Sequence, residues 1–303
     1  MKESFNLKTK NEIINRLREN EISDEQFKTF AYGLLLFCRG FFRHNILVLS
    51  TSKNIIEIYK DVLEKITSEK IKYSESKNRN YSINISDKEL INKIFNYLDI
   101  NDKSISFRIN FGLIENEEDY GIFLAGVFIA CGQITDPLKD YHLEMSVLHK
   151  KLSSDLKKLI SEANINIKTT LRQETYILYL KDSSLIEDFL VMIGATEASL
   201  DIMNVKIYKD IKNKVNRKTN FENANLTKTA YASTIQIRAI EKIINKKGKE
   251  FLSSDLREIA LMRLENPEMS IREIGENSTK GYSRSVVYHK FQKIIKIAED
   301  LED

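Results

Sequence analysis

No tryptophan occurs in this sequence, and only two cysteines and two prolines do. Two cysteines cannot build the disulfide framework of a secreted scaffold, so a reducing cytoplasm is the expected setting. The first twenty residues, MKESFNLKTKNEIINRLREN, contain no apolar leader core, and export is not expected. No apolar run approaches the roughly 20 residues that cross a bilayer. Histidine is scarce as well, and His44, His142, His149 and His289 show no metal-ligand spacing. A Gly-rich phosphate loop and a GxSxG nucleophile elbow are both missing.

What the chain has is lysine, arginine and acids in nearly equal number, unevenly placed. Net charge is only +3, but residues 205–250 hold twelve basic residues against four acids, and residues 280–298 hold five basic residues and no acid. The remainder must therefore carry about −10. Such asymmetry suits a chain with a polyanion-binding carboxy-terminal end and a front end used differently.

The front end reads as a duplication. FLAGVFIACG at 123–132 is a short apolar run whose Ala125, Gly126, Ala130 and Gly132 allow close approach of another helix, and YGLLLFCRG at 32–40 is a distorted counterpart. Each is followed by similar patterns. After the first come FFRHNILVLS, alternating like one strand, the helical NIIEIYKDVLEKI, a hairpin KIKYSESKNRNYSINIS and a helix DKELINKIFNYL capped by Asp87. After the second come YHLEMSVLH, LSSDLKKLISEA, the strand pair INIKTTLRQETYILYLKD and the helix SSLIEDFLVMIG. SISFRINFG at 104–112 reads as an extra strand between them. The expected fold is α+β, a pseudo-symmetric domain over 1–204 with halves of about 1–115 and 116–204.

Residues 205–250 are basic and helix-compatible up to KKGKE, and read as a partly helical connector rather than core. The last unit, 251–303, is all-α. SSDLREIALMRLENP ends at Pro267, SIREIGEN is a short second helix, and a third runs from about Arg284 to Ala298 after the turn STKGYS. Val287, Phe291, Ile294 and Ala298 form its buried stripe, which leaves Ser285, Tyr288, His289, Gln292 and Lys296 on the opposite face. Three short helices, the third basic, make a helix-turn-helix pattern.

The two small-residue segments resemble the paired LAGLIDADG helices of homing endonucleases, in which an acid just before each final glycine holds a divalent metal. Here those positions are Arg39 and Cys131. A guanidinium repels Mg²⁺ and a soft thiol suits it poorly, so cleavage is not expected. The plain reading of Cys38 and Cys131 is small hydrophobes in a tight helix contact.

Taken together, FLAGVFIACGQITDPLKDYHLEM, FLVMIGA, NKVNRKTNFENANLTKT, LREIALMRLENPEMSIREIG and SRSVVYHK resemble the WhiA family of bacterial regulators over essentially the whole chain. The resemblance implies a sequence-specific, promoter-binding transcriptional regulator tied to cell division, chromosome behaviour or sporulation, with a front domain that has lost cleavage. Double-stranded DNA is the implied partner, no cofactor or metal is expected, and the setting is cytoplasmic and nucleoid-associated. Arg284, Ser285, Tyr288, His289 and Gln292 are placed toward the major groove, with Ser283 also counted among the DNA-binding residues. Lys280, Lys290, Lys293 and Lys296 are assigned to phosphates, and Lys212, Lys214, Arg217, Lys218 and Lys228 form a secondary basic set. The negative front domain is assigned to a protein partner or an intramolecular contact. Two other readings stay open: an endonuclease using non-motif carboxylates, and a nucleoid-structuring or protein-interaction module with little sequence preference.

Overall fold

A computed structural model describes residues 3–76, 80–100, 107–114 and 116–301. Two compact units divide between Tyr208 and Lys209. In the first, an opening helix α1 (Phe5–Glu19) precedes two copies of one pattern. The first copy is α2 (Asp24–Leu36), β1 (Gly40–Phe42), β2 (Asn45–Ser50), α3 (Lys53–Thr67), β3 (Ser74–Glu75), β4 (Tyr81–Ile85) and α4 (Lys88–Tyr97). The second is α5 (Glu117–Cys131), β5 (Gly132–Ile134), β6 (Leu143–Val147), α6 (Lys150–Glu162), β7 (Lys168–Arg172), β8 (Thr175–Leu180) and α7 (Ser183–Met192). Each half forms an antiparallel sheet of the same order, β1-β2-β4-β3 and β5-β6-β8-β7. Even the caps repeat, since Asp87 and Asp182 each accept two backbone N–H bonds at the start of α4 and α7.

The halves meet through α2 and α5. A Cβ added at Gly126 would stand 2.4 Å from the Phe30 carbonyl oxygen and 2.7 Å from the Leu34 nitrogen. One added at Gly33 would stand 2.3 Å from the Phe123 carbonyl oxygen. Only glycine lets two helix backbones come this close. Around the contact Phe30, Leu34, Phe123 and Val127 are buried, and the Tyr32 and Phe123 ring centroids lie 5.7 Å apart.

Three expectations change at this level. FFRHNILVLS is not one strand but the β1–β2 hairpin, which turns at Arg43–His44 with Phe42 opposite Asn45. The extra strand at 104–112 is not found among the described residues: 104–106 lie outside them, 107–110 are irregular, and Phe111–Leu113 is a 3₁₀ turn. Side chains, not a ladder, satisfy that backbone. The Ile109 N–H donates to Asp155 at 3.1 Å and the Asn110 N–H to the Tyr32 hydroxyl at 2.8 Å, while Arg108 grips Asp155 through Nη2 at 2.7 Å.

The third change concerns 205–250. The chain there is part of one long helix, α8 (Thr196–Lys247), ended by Gly248 at φ +81°. Its last turns are core, because Ala239, Ile240 and Ile243 are buried with residues of the terminal helices. Those are α9 (Ser254–Glu265), α10 (Ile271–Asn277) and α11 (Arg284–Glu299), and α11 buries Val287, Phe291, Ile294 and Ala298 as its spacing requires. Arg263 joins α8 to this core. It is 1% exposed, donates to Gln236 at 2.9 Å and to the Pro267 carbonyl at 3.1 Å, and lies over the Phe291 ring.

Gly126→Ala tests the α2–α5 contact. Alanine gains about 1 kcal/mol of helix propensity, but the overlap with fixed backbone outweighs it, for a net loss of about 2 kcal/mol or more. Urea unfolding of the full chain should show this, while Gly112→Ala, whose Cβ meets only the Asn110 side chain at 3.4 Å, stays near wild type.

Candidate nucleic-acid interface

The Ser283 hydroxyl caps α11 by accepting the Val286 N–H, and so starts the helix at Arg284. From there Arg284, Ser285, Tyr288, His289, Gln292, Lys293 and Lys296 are all exposed. Ser285, Tyr288, His289, Gln292 and Lys296 follow at intervals of three, one, three and four, which gathers them on one face about three turns long. The Tyr288 and His289 rings touch edge to face with centroids 5.7 Å apart. Val286, 40% exposed beside this row, is not among the residues expected from the sequence, because its apolar character points to core.

Two residues assigned to phosphates stand differently. Lys290 is only 16% exposed in its side chain, with Nζ 3.3 Å from Asp255 and 4.5 Å from the Tyr282 ring centroid. Lys280 is more open, yet its Nζ lies 2.9 Å from the other Asp255 oxygen. Both pairings hold the Asp255 carboxyl below the usual carboxylate range. Asp255 lies 25 residues before Lys280 and 35 before Lys290, so no local pattern could announce it.

The secondary basic set is exposed along α8, where helix phase puts Lys214, Arg217, Lys218 and Lys228 on one face and leaves Lys212 off it. Lys214 and Lys218 are one turn apart, and Lys218 pairs with Glu222 at 3.9 Å. Arg217 donates to the Asn213 carbonyl, Lys212 projects from another side by helix phase, and Lys228 is nearly three turns on.

The positions that would carry nuclease acids are unlike each other. α5 runs through Cys131 directly into Gly132, whereas α2 ends at Leu36 and leaves Arg39 exposed in the turn before Gly40. Burial pushes the Cys131 thiol up to about 12. Beside it is Lys10 of α1, 7% exposed, donating to the Ile129 carbonyl at 3.0 Å and facing the Phe128 ring. A neutral thiol, a buried amine and an exposed guanidinium offer nothing that concentrates Mg²⁺. No group of three His, Cys, Asp or Glu able to hold a metal is present among the described residues.

The WhiA LAGLIDADG-like domain matches residues 120–212, and the WhiA C-terminal HTH domain matches residues 215–298. The probable cell division protein WhiA of Clostridium botulinum is 33% identical over 311 residues, covering 99% of both chains. The chain belongs to the WhiA family. The WhiA relative of Clostridium tetani is 32% identical over 98% of each chain. Among solved structures, full-length WhiA from Thermotoga maritima superposes with a TM-score of 0.60 at 27% identity, covering 99% of this chain and 100% of that one. The isolated N-terminal LAGLIDADG domain of a WhiA superposes with a TM-score of 0.50 at 21% identity, over 64% of this chain and 94% of that one. The HTH match opens at residue 215 and so takes in the second half of α8, in keeping with the Arg263–Gln236 bond.

Lys10 supplies a stability test of the altered motif. Burial lowers its amine from 10.5 to about 8. Between those pH values the unfolded chain binds the extra proton, so stability rises as pH climbs from about 8 to 10.5, and below pH 8 the whole penalty stands. Lys10→Met should be more stable at pH 7 by up to about 3 kcal/mol, and the difference between the two proteins in urea unfolding should shrink toward pH 10.5.

Proposed function

We propose that this WhiA-family chain is a sequence-specific DNA-binding transcriptional regulator without nuclease activity, acting on promoter DNA in the cytoplasm as part of the nucleoid. The exposed face of α11 carries the reading. It combines a guanidinium and a hydroxyl at the helix's amino-terminal end, an aromatic pair, an amide and two lysines, with no acid among them. A recognition helix in the major groove meets base edges with its first turns, where Arg284 and Ser285 stand. Arginine suits guanine O6 and N7, Gln292 suits adenine, and Val286 suits a thymine methyl. Lys293 and Lys296 follow on the same helix as phosphate contacts that fix register. The names of the clostridial relatives tie the family to cell division, and control of genes serving division, chromosome behaviour or sporulation is the role that fits.

The front unit is assigned a contact other than DNA. The outward face of its first sheet is uncharged, with Phe42 and Leu49 exposed at 42% and 70% beside Ser82 and Asn84. Such a face suits a protein surface better than phosphates.

Arg284→Ala should weaken binding to a duplex selected by the wild-type protein by about 1–3 kcal/mol, with a much smaller loss on random sequence. Equal losses on both duplexes would remove Arg284 from base readout. Supercoiled plasmid incubated with the protein and Mg²⁺ or Mn²⁺ should stay intact, and chelator-sensitive nicking would revive the endonuclease reading. Equal affinity for all sequences at every salt concentration would favour the nucleoid-structuring one.

A further inference from the structure

The cations around α11 are not equally available. Arg284, Lys293 and Lys296 are exposed, whereas Lys280 and Lys290 share the Asp255 carboxylate, Oδ1 with the first at 2.9 Å and Oδ2 with the second at 3.3 Å. One turn along α9, Glu258 Oε1 accepts the Thr279 N–H at 2.6 Å. Two acids on the first helix thus grip the turn that leads into α11, and one of them also grips α11 itself. Asp255 is 40% exposed in its side chain, so it lies in the field that an approaching duplex would meet.

We infer that Asp255 is a specificity-determining residue of this DNA-binding face. It withholds Lys280 and Lys290 from phosphates and fixes the turn before α11, so that Arg284 and Ser285 meet the duplex in one orientation. The inference rests on the DNA-binding reading above. A lysine is a point charge on a flexible stem and follows any phosphate within reach. Phosphate contacts add affinity to every sequence alike, so two released lysines would strengthen binding everywhere and dilute discrimination. Lys290 is further held over the Tyr282 ring, which leaves Lys280 as the more easily released of the two.

Asp255→Asn in the full chain tests this, since the amide keeps the shape and removes the charge. Two probes are needed: a duplex recovered from a randomised pool with the wild-type protein, and a random-sequence duplex of the same length, each titrated across KCl concentrations. The variant should bind random duplex about three- to tenfold more tightly near 100 mM salt, with a log–log salt slope steeper by about 1–2, as expected for one or two added phosphate contacts. The selected duplex should gain less, so the ratio between probes falls. In a Lys280→Gln/Lys290→Gln background the same change should bring no gain. An unchanged slope and ratio would overturn the inference, and so would a gain that persists without the two lysines. If Asp255→Asn does not fold, judged by far-UV circular dichroism, the lysine double variant decides alone: a wild-type slope on both probes supports the inference, and a slope shallower by about 2 overturns it. Wild-type protein that binds neither probe at low salt sinks the DNA-binding reading and the inference with it, an outcome distinct from an unaltered Asp255→Asn.

Discussion

Two glycines, Gly33 and Gly126, let the backbones of α2 and α5 touch, and the architecture of the first unit follows from that contact. With Cβ positions 2.3–2.7 Å from backbone atoms of the partner helix, neither site admits even a methyl group. The close approach brings Phe30, Leu34, Phe123 and Val127 into one buried cluster, which continues into both sheets. Each sheet leaves the carboxy-terminal end of its own helix, β1 after α2 and β5 after α5. Fixing the helix pair therefore fixes where both sheets begin.

The constraint is on packing and makes no demand on the residues that end each helix. That separation explains how a LAGLIDADG-like scaffold can lack the acids that hold a metal. Cys131 closes α5 and buries its thiol, Lys10 from α1 fills the space beside it, and α2 stops short of Arg39 altogether. The spacing records the difference, since seven positions separate Gly33 from Gly40 but six separate Gly126 from Gly132. The extra residue falls in the irregular turn between α2 and β1, where the pseudo-symmetry is weakest.

Elements built on local periodicity were legible. The stripe of Val287, Phe291, Ile294 and Ala298, the Asp87 cap and the hairpin of β7 and β8 are each specified by residues a few positions apart. Legibility failed where distant groups decide. The β1–β2 turn has Arg43 and His44 at its tip and no glycine, proline or asparagine there to mark it. Phe107 to Asn110 alternate like a strand, but Tyr32 and Asp155, both remote in sequence, take their backbone groups. On α11 the exposed row followed from helix phase, whereas the capture of Lys280 and Lys290 by Asp255 could not, because it depends on how α9 packs against α11.

Arg263 and the tail of α8 show the same limit most sharply. In residues 205–250, with twelve basic residues, charge composition suggests a solvated connector, and Arg263 lies outside that segment with no local pattern to mark it as buried. Yet a guanidinium has five donors, and three of the carbonyls facing Arg263 belong to Asn266, Pro267 and Met269, the turn that ends α9. With Gln236 taking a further bond and the Phe291 ring centroid 5.4 Å from its Cζ, the charge is satisfied while buried, which offsets the cost of burial. Ser233 donates to the same Pro267 carbonyl at 2.6 Å. Residues 196–247 contain no glycine or proline, so nothing inside α8 interrupts it. Within the first unit its Ala198 and Ile202 are buried, and within the second its Ile240 and Ile243 are. Between them the exposed basic turns need only avoid breaking the helix, and the residues there are free to be chosen for charge.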